Sequence, residues 1–489
     1  MWNRCRWEQV ARGSMARLCC GATRPKADLT PPATACVWSV DVGQYRQLQE
    51  KAYLNETGSE AWRLYALLLV YPLASIAQHS YTGLVQRLVA RNAALRGAAL
   101  DAALCLLPLA ATFATASTRT FWLFAFSAFS MLSSSPSPEE KEHRGEASGE
   151  ASGEARDFSM LQGRFRFVAE YRALVMISTC VVILAVDFPS LFPREHAKTE
   201  TFGYALMDLG TGCIVVASAV SGSRRKGGVR VLGVLFKLWP VLLLGSVRAA
   251  LLWGIDYHVQ VSEYGVHWNF FFTIAAVALA SSLLDLRAGE SPAAGALLAT
   301  LYQLYLSTGG GADFILLAPR RGLFSANREG ILGCAGYLSL HWLGSGIGAL
   351  LRAFSPKLTV LLLLAVSSLS ALTTHFLGLA GIAVSRRMCN LPYVLHVISL
   401  STWVLALLAL ADLAASHPRP PISLTLAAVS DSMLAVFLLA NLLTGVANLA
   451  LQPLLVPAGS AFFTLCFYCL LWSMPCAALR AKGRALKFW

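Results

Sequence analysis

What most constrains this chain is the recurrence, from Trp62 almost to the end, of apolar runs close to the length of a membrane crossing. About 20 helical residues span the hydrocarbon core of a bilayer. In hydrocarbon a helix satisfies its own backbone groups, and among strand structures only a closed barrel does the same. Barrel strands alternate apolar and polar residues, whereas these segments are apolar on all sides, so a barrel is excluded. Composition agrees. Of the 489 residues, 56% are hydrophobic and 14% charged, against about 25% charged in an average soluble domain. The expected fold is all-α, a polytopic transmembrane helix bundle of about 13 spans. They fall at 62–80, 99–117, 119–133, 171–187, 204–221, 231–253, 269–286, 294–307, 331–351, 358–383, 392–413, 422–449 and 455–477.

Two stretches lack this pattern. Residues 1–45 mix arginines, prolines and small residues without a clean apolar core, and read as a disordered N-terminal extension rather than a cleaved signal. Residues 134–157, with Ser-Pro and Glu-Ala-Ser-Gly repeats, read as a low-complexity loop inserted in a membrane domain covering 46–489.

The net charge is +13. Its basic residues sit in short clusters between apolar runs, which marks cytosolic loops and not a nucleic-acid surface. Arg87, Arg91 and Arg96, then Arg224, Arg225, Lys226 and Arg230, then Arg480, Lys482, Arg484 and Lys487 share one side if the N-terminus is luminal and the C-terminus cytosolic. Asn55-Glu56-Thr57 is then a luminal sequon. On that thread Arg194 and Lys198, Arg320, Arg321 and Arg328, and Arg386 and Arg387 fall on the wrong side. Either a span is miscounted, or these residues bind anionic head groups. Twelve cysteines are scattered, mostly in apolar segments. Cys466 and Cys469 form a C-x-x-C without a second ligand pair, which favours packing over metal.

Polar residues that interrupt membrane helices are costly and mark candidate sites. Four segments collect them. The first runs from Asp187 through Arg194 and Lys198 to Asp208. Its prolines end the preceding helix, and Asp187 stands where a general base is useful. A helix-end Asp paired with a loop Lys is the structural alternative. The second holds Asp256, His258, Glu263, His267, Trp268 and Asn269. Two histidines and two carboxylates invite a metal, but no H-x-x-H or H-E-x-x-H spacing supports one, so no metal is expected. A polar interfacial cap is the plain alternative. The third holds Asn327, Arg328, Glu329, Tyr337 and His341. The preceding Gly309-Gly310-Gly311 lacks the G-K-[ST] of a phosphate loop and reads as a turn. The fourth places Asn441, Thr444 and Asn448 on one helix face, where interhelical hydrogen bonding is the favoured reading. There is no G-x-S-x-G elbow, no His followed five residues on by Asp, and no Walker loop.

At these residues the sequence resembles a known family. Val186 to Asp208 is similar to the A-V-D-F-P-x-F-P-R-R-F-A-K-T-E…M-D-L-G signature of the GPI inositol acyltransferases, the PIG-W family. Asp256 to Phe272 resembles its D-Y-x-x-H and E-Y-G-V-H-W-N-F-F-F motifs. Asn327 to Ile331 with Gly336-Tyr337 resembles its N-x-E-G-I…G-Y, and Ala440 to Gly445 its A-N-x-L-T-G. The likeness runs in register from about Gln47 to the end. One extra residue, Ser190 or Leu191, and Glu195-His196 in place of Arg-Phe depart from it.

The resemblance implies a multi-pass endoplasmic reticulum enzyme of GPI-anchor biosynthesis. Such an enzyme moves a fatty acyl chain, typically palmitoyl, from acyl-CoA to the inositol 2-hydroxyl of glucosaminyl-phosphatidylinositol. It implies no cofactor beyond acyl-CoA as co-substrate. It also supports Asp187 and Lys198 as a catalytic pair, Asp187 as the general base or its orienting carboxylate and Lys198 as oxyanion or phosphate partner. His258, His267 and Glu263 follow as further candidates for proton transfer, and Arg194 and Arg328 as phosphate contacts. Asp208, Asp256, Trp268, Asn269, Asn327, Glu329, Tyr337, Asn441 and Thr444 complete the expected substrate-binding set. Direct transfer is preferred to an acyl-enzyme, since no activated Ser or Cys is visible. A glucosaminide N-acetyltransferase-like enzyme and a secondary transporter are the alternatives; the transporter predicts an inverted repeat that the sequence does not show.

Overall fold

The computed structural model describes residues 57–76, 106–115, 166–222, 231–254, 261–287, 289–414 and 422–484, with Tyr45 and Leu48. All but those two lie in one compact unit, Gln49–Trp489. The predicted span at 119–133, the 134–157 insert and, apart from Tyr45, the 1–45 extension lie outside the described residues.

The described residues form helices without named strands. They are α1 Ala61–Leu68, α2 Leu107–Thr115, α3 Arg166–Ala185, α4 Leu206–Val220, α5 Val231–Gly254, α6 Phe270–Leu284, α7 Ser291–Thr308, α8 Gly311–Leu317, α9 Leu323–Ala326, α10 Arg328–Ala353, α11 Pro356–Leu379, α12 Leu391–Ala414, α13 Leu424–Asp431, α14 Met433–Ala450 and α15 Ala458–Ala481. Helical turns resume after Leu69 and carry α1 on to Ile76. Six helices are long and apolar enough to cross a membrane: α3, α5 (by its stretch Gly233–Ala250), α11, α12, α14 and α15. The chain is a multi-pass membrane protein.

The apolar residues decide how these helices pack. α3 and α12 are buried over 78% and 72% of their apolar windows, whereas α5 and α14 are buried over 22% each. The first two are therefore central and the second two peripheral. Outward-facing Phe236 on α5 and Leu449 on α14 are exposed, as lipid-facing side chains are. α10 approaches α4 closely at Gly344 and Gly348, where an added side chain would meet Val216, Ala219 and the Val220 carbonyl. This is the small-residue spacing that lets membrane helices touch.

One expected element is corrected. The run 422–449 reads as a single span, but it is two helices, α13 and α14, with a break at Ser432. The Ser432 backbone has φ −125 and ψ 35, and its N–H closes α13 on the Ala428 and Val429 carbonyls. Apolar residues on both sides of the break hide it from a hydropathy reading. Asp431 at the break is held by Arg480 of α15.

Alternate connections meet at one end. Ser59 pairs with Tyr204 ahead of α1 and α4. Gly203 donates to the Val384 carbonyl at 2.9 Å, and Val266 to the Ala326 carbonyl at 3.0 Å. Ser190 donates to the Val456 carbonyl at 2.8 Å. The segments 187–205, 261–269, 318–328, 380–390 and 451–457 thus form one polar cap, and it contains all three groups of wrong-side basic residues.

Candidate active site

The cap holds three clusters. The first centres on Lys198, whose ammonium bonds Glu263 directly. Arg386 lies 3.7 Å from the other oxygen of Glu263 and 3.8 Å from Asp208. Asp208, in the first turn of α4, accepts from the Thr199 N–H at 3.0 Å and hydroxyl at 2.6 Å. That position suits an anion, because the helix dipole is positive there. Burial pushes the Glu263 carboxyl up, but Lys198 and Arg386 outweigh it, and the group settles below the ordinary glutamate range. Arg386 loses by burial, yet its neighbours Tyr264, Glu263, Tyr337 and Asp208 hold it far above the usual arginine value, so it stays charged. Its guanidinium also lies over the Tyr264 ring, 5.0 Å from the centroid. The Lys198 side chain remains 33% exposed.

The second cluster surrounds Glu329, whose side chain is fully buried in the first turn of α10. Arg320 grips it with two nitrogens, at 2.6 and 3.0 Å. Arg387 reaches the same carboxylate at 3.1 Å. Arg328, 3.8 Å away, is committed elsewhere: its guanidinium caps the Ile315 and Ala318 carbonyls at the end of α8 and lies over Phe314. A cation at a helix C-terminus is favourable, and this one anchors α8.

The third cluster holds Asp187 at the end of α3. Asn448 of α14 donates to its carboxylate at 2.9 Å. Thr444, one turn earlier on the same face, lies 3.4 Å from the Tyr468 hydroxyl, which donates to the Cys180 carbonyl at 2.8 Å. These contacts are the interhelical bonds read from the α14 spacing. Asn441 differs: it is exposed and turns back to the Phe437 carbonyl. The structural alternative for the first segment pairs Lys198 with Asp187. The structure gives Lys198 a carboxylate, but it belongs to Glu263, far along the chain and next to Lys198 in space.

Between α5 and α6 runs an apolar groove of about 360 Å³, lined by Leu235, Leu238, Leu242, Phe272, Ala276 and Leu279, with His267, Trp268 and Asn327 at its polar end. Asn327 fixes that end. Its side-chain oxygen accepts from the backbone N–H groups of His267 and Trp268 at 2.7 and 2.9 Å. Trp268 donates to Thr273 at 2.9 Å. Asn269 caps α6 by accepting from Phe271 and Phe272, and donates to the Gly245 carbonyl of α5 at 2.9 Å. It therefore sets the two walls against each other. Tyr337 is buried and bonds Thr211 at 3.0 Å. Arg194 opens a short 3-10 turn beside Glu195, which pairs with Arg63 at 2.9 Å, and buried His196. Burial holds the His196 imidazole below its ordinary range. Asp256 and His258 lie outside the described residues. Among the described residues no group of His, Cys, Asp or Glu could hold a metal.

Arg386 and Arg387 are the site residues that motif reading leaves out. Their signal was there: both break the charge bias of the loops.

The pattern of one family, GWT1, matches residues 45–479. The chain belongs to the GWT1 family. The GPI-anchored wall transfer protein 1 of Yarrowia lipolytica is 35% identical, over 62% of this chain and 70% of its own length. That of Gibberella zeae is 37% identical, over 59% and 67%. The phosphatidylinositol-glycan biosynthesis class W protein of Dictyostelium discoideum is 32% identical, over 66% and 75%. The GWT1 match takes in all three clusters and the groove.

Proposed function

We propose that this protein transfers a fatty acyl group, such as palmitoyl, from acyl-CoA to the inositol 2-hydroxyl of glucosaminyl-phosphatidylinositol, in the endoplasmic reticulum membrane during GPI-anchor biosynthesis. The observation that carries this reading is a partly exposed lysine, Lys198, in the same polar cap as the polar end of an apolar groove. Family membership supports it, as do the relatives' names, which place them in GPI-anchor work.

The chemistry needs three things: a base for a secondary alcohol, a cation for the oxyanion, and a slot for a chain. The groove between α5 and α6 takes the acyl chain. Lys198 stabilises the negative charge that forms on the thioester carbonyl oxygen as the hydroxyl attacks. Glu263 holds that ammonium in place. Asp187, oriented by Asn448, takes the proton from the hydroxyl. Collapse of the tetrahedral intermediate breaks the carbon–sulfur bond, and the departing CoA thiolate receives the proton. His267, at the polar end of the groove, flanks the thioester. The N-terminus is luminal in this arrangement and the C-terminus cytosolic.

The test is acylation of glucosaminyl-phosphatidylinositol by purified protein, with lipid analysis of the product. Asp187→Asn and Lys198→Ala each remove activity while the protein stays folded in the membrane. Wild-type activity in both variants refutes the assignment. Acylation of free glucosamine instead would favour the N-acetyltransferase-like class, and substrate flux without a covalent product a transporter.

A further inference from the structure

The first two clusters differ in charge balance. Around Glu263 and Asp208 stand Lys198 and Arg386, two charges of each sign, with exposed Arg248 at longer range. Around Glu329 stand three guanidiniums, Arg320, Arg328 and Arg387, against one carboxylate, a formal surplus of two positive charges. The three repel one another across a buried carboxylate. Burying such a surplus is costly unless a counter-charge arrives. Arg328 is spent on α8, but Arg387 keeps a buried Nε–H with no hydrogen-bond partner. Arg320 is 25% exposed and Arg387 13%, so the cluster is open on their side.

We infer that Arg320 and Arg387, gathered on Glu329, form a subsite for a phosphate ester, which either the phosphodiester of the inositol lipid or the phosphates of CoA can supply. Planar guanidinium forks match phosphate oxygens. The location fits the lipid: Arg387 follows Arg386, which faces the Lys198 cluster, and in the proposed acceptor the phosphodiester sits on the ring carbon next to the reacting hydroxyl. Ala326 joins the subsite to the groove, because its carbonyl accepts from both Arg320 (2.8 Å) and Val266 (3.0 Å). This inference rests on the acyl-transfer reading for its substrates, but the site can be tested without turnover.

Arg320→Gln and Arg387→Gln are compared with wild type for KM, kcat and thermal unfolding in detergent. Each raises one KM by about tenfold to a hundredfold, as expected for a lost charge-assisted contact. A rise confined to the acceptor assigns the lipid phosphodiester, and a rise confined to acyl-CoA assigns the CoA phosphates. Arg387→Lys recovers part of the loss. Unchanged KM values with a fall in kcat or unfolding temperature show that both arginines only hold Glu329, and overturn the inference. If wild type makes no acylated product, binding of phosphatidylinositol in phosphatidylcholine nanodiscs, and of CoA, is measured directly. A double variant that retains both ligands as wild type does also overturns it.

Discussion

At the scale of single residues, the Lys198–Glu263 contact is the most informative. Glu263 is held below its ordinary range in the folded protein, so it binds fewer protons there than in the unfolded chain. Its stabilisation is therefore present above about pH 4.3, the unperturbed glutamate value, and is lost as pH falls through the folded value. Unfolding temperature measured from about pH 6 down to about pH 2 should drop in wild type below about pH 4.3, with a smaller drop in Glu263→Gln. Gly330 offers a second test. A methyl group there would overlap the Trp268 indole and approach the Tyr264 carbonyl at 2.6 Å. Gly330→Ala should lower the unfolding temperature, alter tryptophan fluorescence and depress activity. Gly445→Ala, where nothing lies within 4 Å, should be neutral or gain up to about 1 kcal/mol from helix propensity. At this scale the sequence was legible where spacing alone reveals a role. Thr444 and Asn448 share a helix face by arithmetic, and both bond to neighbouring helices. The partner of Lys198 was not legible, because chain proximity points to Asp187 and nothing local marks a carboxylate brought in by another loop.

At the scale of elements, most helices fall where apolar runs place them, since length and hydropathy alone determine where a chain can cross hydrocarbon. The α13–α14 break escaped because the short polar run Ser430-Asp431-Ser432 sits between long apolar stretches, without a Pro or Gly to announce it. Asn269 is the element-level control on the groove, joining the start of α6 to Gly245 of α5. Asn269→Ala removes cap and cross-link together and should cost about 1 kcal/mol or more. Asn269→Asp keeps the cap but loses the donor to Gly245, and should fall between the two. Thermal unfolding of the three proteins in detergent checks the order.

At the scale of the whole molecule, the groove should set chain length. Ala276 lines it among larger residues, so Ala276→Phe shortens the slot. Competition among acyl-CoAs of eight to eighteen carbons should then shift towards shorter chains, with little change for the short ones. The polar cap also explains the basic loops that defied the charge bias. Lys198, Arg320, Arg328, Arg386 and Arg387 are paired with Glu263, Asp208 and Glu329, so these five answer first to carboxylates of the protein itself. That pairing could not be read from the sequence, because it joins four connections far apart in the chain. One turn ties the cap together: neighbouring residues, Arg386 and Arg387, point to different carboxylates. Consecutive α-carbons across a trans peptide lie about 3.8 Å apart, so this turn works as a ruler. Whatever the second arginine grips is held at one offset from what the first one faces, and inserting a single residue between them would put the gauge out of true while leaving every helix intact.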